Sequence, residues 1–119
     1  MDRINQRYFQ DQKVIEVLVD VLFIHEDDYV VAYCPSLELS AYAERMTTAK
    51  KKFDEVLKIF FEDVHKKGTL EKVLLQLGWT LRQIPDISYK PPQVSINDIL
   101  SLAQKSKTKS ITENISIPI

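Results

Sequence analysis

Between residues 14 and 24 the odd positions Ile15, Val17, Val19, Val21 and Phe23 are all apolar, while the even ones mix Glu16 and Asp20 with Leu18, Leu22 and Ile24. A period of two in a run this rich in β-branched side chains reads as a strand covered on one face and partly covered on the other. Residues 25–28, His-Glu-Asp-Asp, then suit a short hairpin loop, and residues 29–33 return as a second strand. Pro35 cannot donate to a ladder and biases Cys34 towards extended geometry, so the chain turns there. In residues 37–44 the apolar set Leu37, Leu39, Ala41 and Ala43 alternates with Glu38, Ser40, Tyr42 and Glu44, a third strand with one wet face.

At Thr47 and Thr48 the period changes. Ala49, Phe53, Val56, Leu57, Phe60, Phe61 and Val64 follow the spacing of an amphipathic helix with an aromatic stripe, capped by a threonine hydroxyl and ended by Gly68. Lys50, Lys51 and Lys52 fall in its first turn, where cations oppose the helix dipole at a cost of roughly a few tenths of a kcal/mol each. Thr69 can cap a second helix with Leu70, Val73, Leu74 and Leu77 on one face and Gly78 at its end, and residues 79–84 form a fourth strand. The prolines of PDISYKPPQ make an extended connector. Beyond it, Ser95 and Asp98 have capping-box spacing ahead of a short helix carrying Ile96, Ile99, Leu100 and Ala103. KSKTKS reads as a solvated linker. Ile111, Ile115, Ile117 and Ile119 then form an apolar tail strand, with Glu113 where the alternation calls for an apolar residue.

These elements predict an α+β fold: a three-stranded antiparallel meander plus a fourth strand, packed on one main helix, with a short second helix and a C-terminal tail strand. A right-handed crossover would lay the fourth strand parallel to the first, in sheet order 3-2-1-4. Residues 13–84 form the domain, and residues 85–119 are a connector, short helix and tail that do not fold alone. The length of 119 residues allows one small core, and two glycines argue against a turn-rich β-sandwich. A net charge of −1 supplies no general attraction to nucleic acid. The single cysteine cannot form an intramolecular disulfide. With no spanning apolar run and no apolar core in MDRINQRYFQDQ, a cytoplasmic protein is expected.

The segment YVVAYCPSLELSAYAERMTTAKKKFDEVLKIF resembles the N-terminal domain of HicB-type antitoxins. In that family a hairpin strand ends in an alanine-aromatic-small-proline turn, followed by a leucine-rich strand, a threonine helix cap and an alanine-bearing helix. Tyr29, Ala32, Tyr33, Cys34, Pro35, Leu37 and Thr48 match that pattern, and residues 68–79 look similar to the segment leading into the last strand of some relatives. Where the family usually has a glycine before the threonine and acidic residues in the first helical turn, this chain has Arg45-Met46 and three lysines. The resemblance implies a degraded RNase H-like topology, a homodimer or higher oligomer, and a HicA-type RNA-cleaving toxin as protein partner. Direct operator DNA binding is not expected, because ITENISIPI resembles a ribbon strand with no helices after it. The alternative is a free-standing dimeric adaptor or ligand-binding module of the same fold.

The residues themselves offer no complete catalytic set. A two-metal nuclease needs carboxylates converging from the first strand, the main helix and the fourth strand. Glu16 or Asp20 and Asp54 or Glu55 could supply two corners, but the fourth strand offers only Thr80, Arg82 and Gln83. Residues 25–28 include metal-ligand types, yet consecutive turn residues point different ways and read more simply as a polar loop. Cys34, with His25 and His65 elsewhere, reads as a small buried filler rather than a nucleophile. No enzymatic activity, cofactor or metal is expected. The candidate site residues are therefore contacts. Ile111, Ile115, Ile117, Ile119 and Tyr42 are assigned to a partner or a second copy, the tail pairing across a dimer in preference to docking on its own sheet. Lys50, Lys51 and Lys52 are candidates for phosphate, weighed against a solvated face.

Overall fold

The stripe of odd residues in the first strand is the floor of the core. A computed structural model describes residues 13–82, 86–92 and 107–119, ordered as β1 (Val14–Glu26), β2 (Tyr29–Cys34), β3 (Leu39–Ala43), α1 (Met46–Lys66), α2 (Leu70–Gln76), β4 (Thr80–Arg82), β5 (Ser88–Lys90) and β6 (Lys107–Pro118). Val17, Val19, Val21 and Phe23 of β1 pack with Val30, Ala32 and Cys34 of β2 and with Ala41 and Ala43 of β3. Onto this face α1 lays Ala49, Phe53, Leu57, Phe61 and Val64, a stripe that advances by one turn per residue and so stays on one side. The α+β class, the antiparallel meander, the main helix and the short second helix follow the sequence prediction. Among the described residues no helix is long and apolar enough to cross a membrane.

The occupant of the fourth place in the sheet differs from expectation. The order is β3-β2-β1-β6, and β6 runs antiparallel to β1 over its whole length, from Val14↔Pro118 to His25↔Lys107. β4 instead pairs with β5 in a separate two-stranded sheet. So the parallel fourth strand that an RNase H-like arrangement calls for is replaced by the tail. Length decides the outcome. β1 has 13 residues, and β4, with three, could cover only a fraction of its edge, whereas β6 has 12. Burying Ile115 and Ile117, both closed off from solvent here, contributes roughly 1.5–3 kcal/mol each. The Ile119 N–H donates to the Lys13 carbonyl at 3.0 Å, which makes the odd residues of β6 the ones bonded to β1. Pro118, lacking an N–H, therefore falls where its nitrogen faces away from β1 and costs no bond in this ladder.

Glu113 is the exception in the tail's alternation, and it lies opposite Val19 on the α1 side of the sheet, 8% exposed. The Lys50 ammonium meets its carboxylate at 3.3 Å. A cation that opposes the helix dipole thus has a local use: it neutralises a carboxylate that the strand register carries into the core. A one-residue slip of β6 would turn every isoleucine outwards and part Glu113 from Lys50, so isoleucine burial and the ion pair together hold the register. Replacing Glu113 with leucine should leave stability unchanged or raise it by about 1 kcal/mol, because a carboxylate held away from water beside a half-exposed lysine gives way to apolar packing. Lys50→Met, which strands the carboxylate, should lower it by about 1–3 kcal/mol. Urea unfolding of both single variants and the double variant checks the sign. A Glu113→Leu protein less stable than Lys50→Met would contradict this role.

Several local expectations need correction, among them the KSKTKS linker, whose last four residues, 107–110, belong to β6 and pair with β1. α1 starts earlier than the threonines suggest: Arg45 is the extended N-cap residue, its carbonyl accepting from Ala49 N–H at 2.9 Å, and no side chain caps the end. Arginine has no acceptor to offer, and Thr47 and Thr48 lie inside the first turn. Thr69 does hold the N-cap position of α2, but without a side-chain bond. The hairpin loop is also tighter than four residues. Strand pairing continues to Glu26↔Tyr29, leaving Asp27 and Asp28 as the turn, with Asp27 at φ 44°, a left-handed value that aspartate tolerates. Finally, the proline-rich connector contains β5, whose Tyr89 joins the core and pairs with Leu81. The core therefore extends past residue 84. The expected helix around Ile96–Ala103 and the strand end at Gln83 and Ile84 lie outside the described residues.

Both helix ends follow the sequence signal. Gly68 and Gly78 take φ values of 66° and 93°. Around them Thr69 N–H reaches the Val64 carbonyl and Trp79 N–H the Leu74 carbonyl, each at 2.9 Å, the 6→1 bond of a Schellman motif. The second of these turns delivers Trp79 into the core. Its indole N–H donates to the Ser36 carbonyl at 2.8 Å, tying the end of α2 to the turn between β2 and β3.

Candidate functional site

Strand parity puts two tyrosines on the face of the sheet away from α1. Val30 and Ala43, paired across β2 and β3, are buried towards the helix, so their neighbours Tyr29 and Tyr42 point the other way. Tyr29 is 42% and Tyr42 68% exposed, and their rings lie 5.8 Å apart at 55°. That spacing and tilt fall within the range of favourable aromatic pairs. The rest of this outer face is uneven. Leu22, Ser116 and Pro118 are buried on it, while Leu18 is 60% exposed.

The tyrosines border an open cleft of about 650 Å³, completed by Asp28 from the hairpin turn, Glu44 and Arg45 from the short link into α1, and Lys52 from the helix. The link is only two residues long, so the end of β3 and the start of α1 are held side by side. Among the described residues no ion pair joins these four charges to one another. The cleft combines an aromatic platform with fixed charges of both signs, an arrangement suited to a polar or charged group of a partner.

The structure distributes the other predicted residues differently. Ile115 and Ile117 are buried in their own chain's core, Ile111 and Ile119 are half-buried at its margin, and the tail pairs with β1 of the same chain. The three lysines do not act together: Lys50 is engaged by Glu113, Lys51 is exposed, and Lys52 borders the cleft. Tyr42 is exposed as expected for a contact residue. The sequence reading gives Tyr29, Asp28, Glu44 and Arg45 no contact role. The available signal was parity, since an aromatic residue one step out of phase with a buried strand stripe stands on the other face.

Glu16 and Asp20 sit on the outer face, whereas Asp54 and Glu55 belong to the helix packed on the inner one, so the sheet separates the carboxylates that a two-metal site would have to bring together. Asp20 accepts a hydrogen bond from the Thr112 hydroxyl at 3.2 Å, joining β1 to β6. Among the described residues no group of three His, Cys, Asp or Glu side chains is placed to hold a metal ion. Cys34 is fully buried with its sulfur 3.4 Å from the Ser36 hydroxyl, and burial pushes its thiol pKa up, away from the reactive thiolate. No family model, curated protein or solved structure matches this chain.

Proposed function

We propose that this protein is a HicB-like antitoxin, acting in the cytoplasm, that binds and neutralises a HicA-type RNA-cleaving toxin by protein–protein contact. The observation that carries the reading is the exposed Tyr29–Tyr42 pair beside a charged cleft, within the segment on which the family resemblance rests. Tyrosine and arginine are enriched among the residues that dominate binding at protein interfaces. The order of that segment also supports it: a hairpin strand, a Cys-Pro turn, a short strand and a long helix follow one another as the resemblance implies. Engagement of Lys50 by Glu113 weakens the competing view of the lysines as a phosphate-binding set.

The test is co-expression with the product of the adjacent open reading frame. The neighbour alone should arrest growth and degrade RNA, and the pair should restore growth and co-purify. A harmless neighbour that does not bind would sink the proposal and leave the free-standing adaptor as the better reading. The expected homodimer or higher oligomer is checked in the same preparation by light scattering.

A further inference from the structure

The two edge strands of the main sheet differ in composition. β6 carries Lys107, Lys109, the inward Glu113 and Pro118, the charges and proline by which edge strands avoid pairing with other chains. β3, Leu-Ser-Ala-Tyr-Ala, carries none of these, and among the described residues no strand pairs with its outer side. The helix above that side is apolar as well. α1 lies over β3 and β2, and Lys50 on one flank reaches across to Glu113 of β6. Ile59 follows Lys50 by nine residues, about two and a half turns, and so stands on the opposite flank, beyond β3. It is 64% exposed, and Val56 and Phe60 beside it are half-buried. A row of unpaired backbone groups and an apolar helix flank therefore face the same way.

We infer that this composite surface pairs with its own copy: β3 joins β3 of a second chain antiparallel across a two-fold axis, and the two α1 helices, side by side over the joint, bury Ile59 between them. A lone peptide strand would satisfy the edge and leave Ile59 in water, whereas a second copy brings both a neutral strand and an apolar flank. The residues around β3 select the register. Facing residues share one side of the sheet, so the axis passes at Ser40, Ala41 or Tyr42. Centring on Ser40 would draw Glu38, with its left-handed φ of 54°, into the ladder, and centring on Ala41 would set Glu38 against Glu44 of the copy. Centring on Tyr42 sets Glu44 against Ser40 and Arg45 against Leu39, and Arg45 is already extended. Tyr42 then meets Tyr42 of the copy, joining the two Tyr29–Tyr42 pairs into one row on the outer face of an eight-stranded sheet. The inference is independent of the antitoxin reading, and it leaves that face open to a partner.

Light scattering and cross-linking of the full chain test it. At micromolar concentration the wild type should have twice the 13.8 kDa mass of one chain. Ile59→Glu should halve that mass with an unchanged circular dichroism spectrum, since Ile59 is mostly exposed in the single chain. Under oxidation Tyr42→Cys should cross-link to its copy, whereas Ser40→Cys, roughly 13 Å from its own symmetry mate, should not. A wild type that stays monomeric, a dimer that survives Ile59→Glu, or a cross-link in Ser40→Cys but not in Tyr42→Cys overturns the inference. If the chain is monomeric and Ile59→Glu instead abolishes binding of the neighbouring gene product, the edge belongs to that partner, and the inference falls with the antitoxin reading intact. The predicted dimer, formed by a chain that does not bind the neighbour, does the reverse.

Discussion

Removal of residues 109–119 should abolish cooperative unfolding of the chain at room temperature. β6 supplies Ile115 and Ile117 to the core and satisfies the edge of β1 along its length. The two isoleucines alone account for roughly 3–6 kcal/mol of burial, against a total stability of about 5–15 kcal/mol for a domain of ordinary size. The truncated chain would also expose a 13-residue strand edge, a template for aggregation. Thermal circular dichroism should show a broad, low-temperature loss of signal in place of a sigmoidal transition. A melting temperature within about 3 °C of wild type would mean that the tail is an accessory rather than a structural strand. Ile117→Ala gives a graded version, expected to cost about 2–5 kcal/mol.

The second large effect is expected at Trp79. Its side chain, 3% exposed, fills the space where α2 ends and anchors the β2–β3 turn through the Ser36 carbonyl. Trp79→Ala should cost about 3–5 kcal/mol, combining a large cavity with a carbonyl deprived of its donor. Trp79→Phe retains much of the packing and removes the hydrogen bond, so it should cost less, about 1–3 kcal/mol. Guanidinium denaturation midpoints give both values, and in the wild type the same transition can be followed by the fluorescence of this single tryptophan. A Trp79→Ala protein within about 1 kcal/mol of wild type would show that the turn is held by other contacts.

These two sites also mark where the sequence was legible and where it was not. Local patterns translated directly: period two gave β1, the spacing of Phe53, Leu57, Phe61 and Val64 gave the buried face of α1, and Gly68 and Gly78 ended both helices. The choice of the strand beside β1 is non-local. Residues 79–84 and the tail both read as strands, and only their lengths against β1, together with the burial each offers, decided between them. Glu113 was visible as a break in the alternation, but its explanation lay far earlier in the chain, in Lys50 at the start of α1. Tyr89 was obscured by the prolines around it. The cleft is likewise assembled from the hairpin turn, two strands and the start of α1, so its charges converge only once the register of β2 with β3 is fixed.

That convergence gives the proposed function its physical content. The sheet's inner face and its β1 edge are occupied by the chain's own helix and tail, while the Tyr29–Tyr42 end of the outer face remains exposed. A partner that docks there gains aromatic contact with rings already packed against each other, so little side-chain ordering has to be paid for on binding.

The most direct test of this account is a titration of the full-length chain with the purified product of the adjacent open reading frame, by calorimetry, alongside an assay of that product's RNA cleavage. The account predicts a saturable complex, loss of cleavage in step with occupancy, and weakening of both by Tyr42→Ala. A neighbour that neither binds this chain nor loses activity in its presence would contradict it.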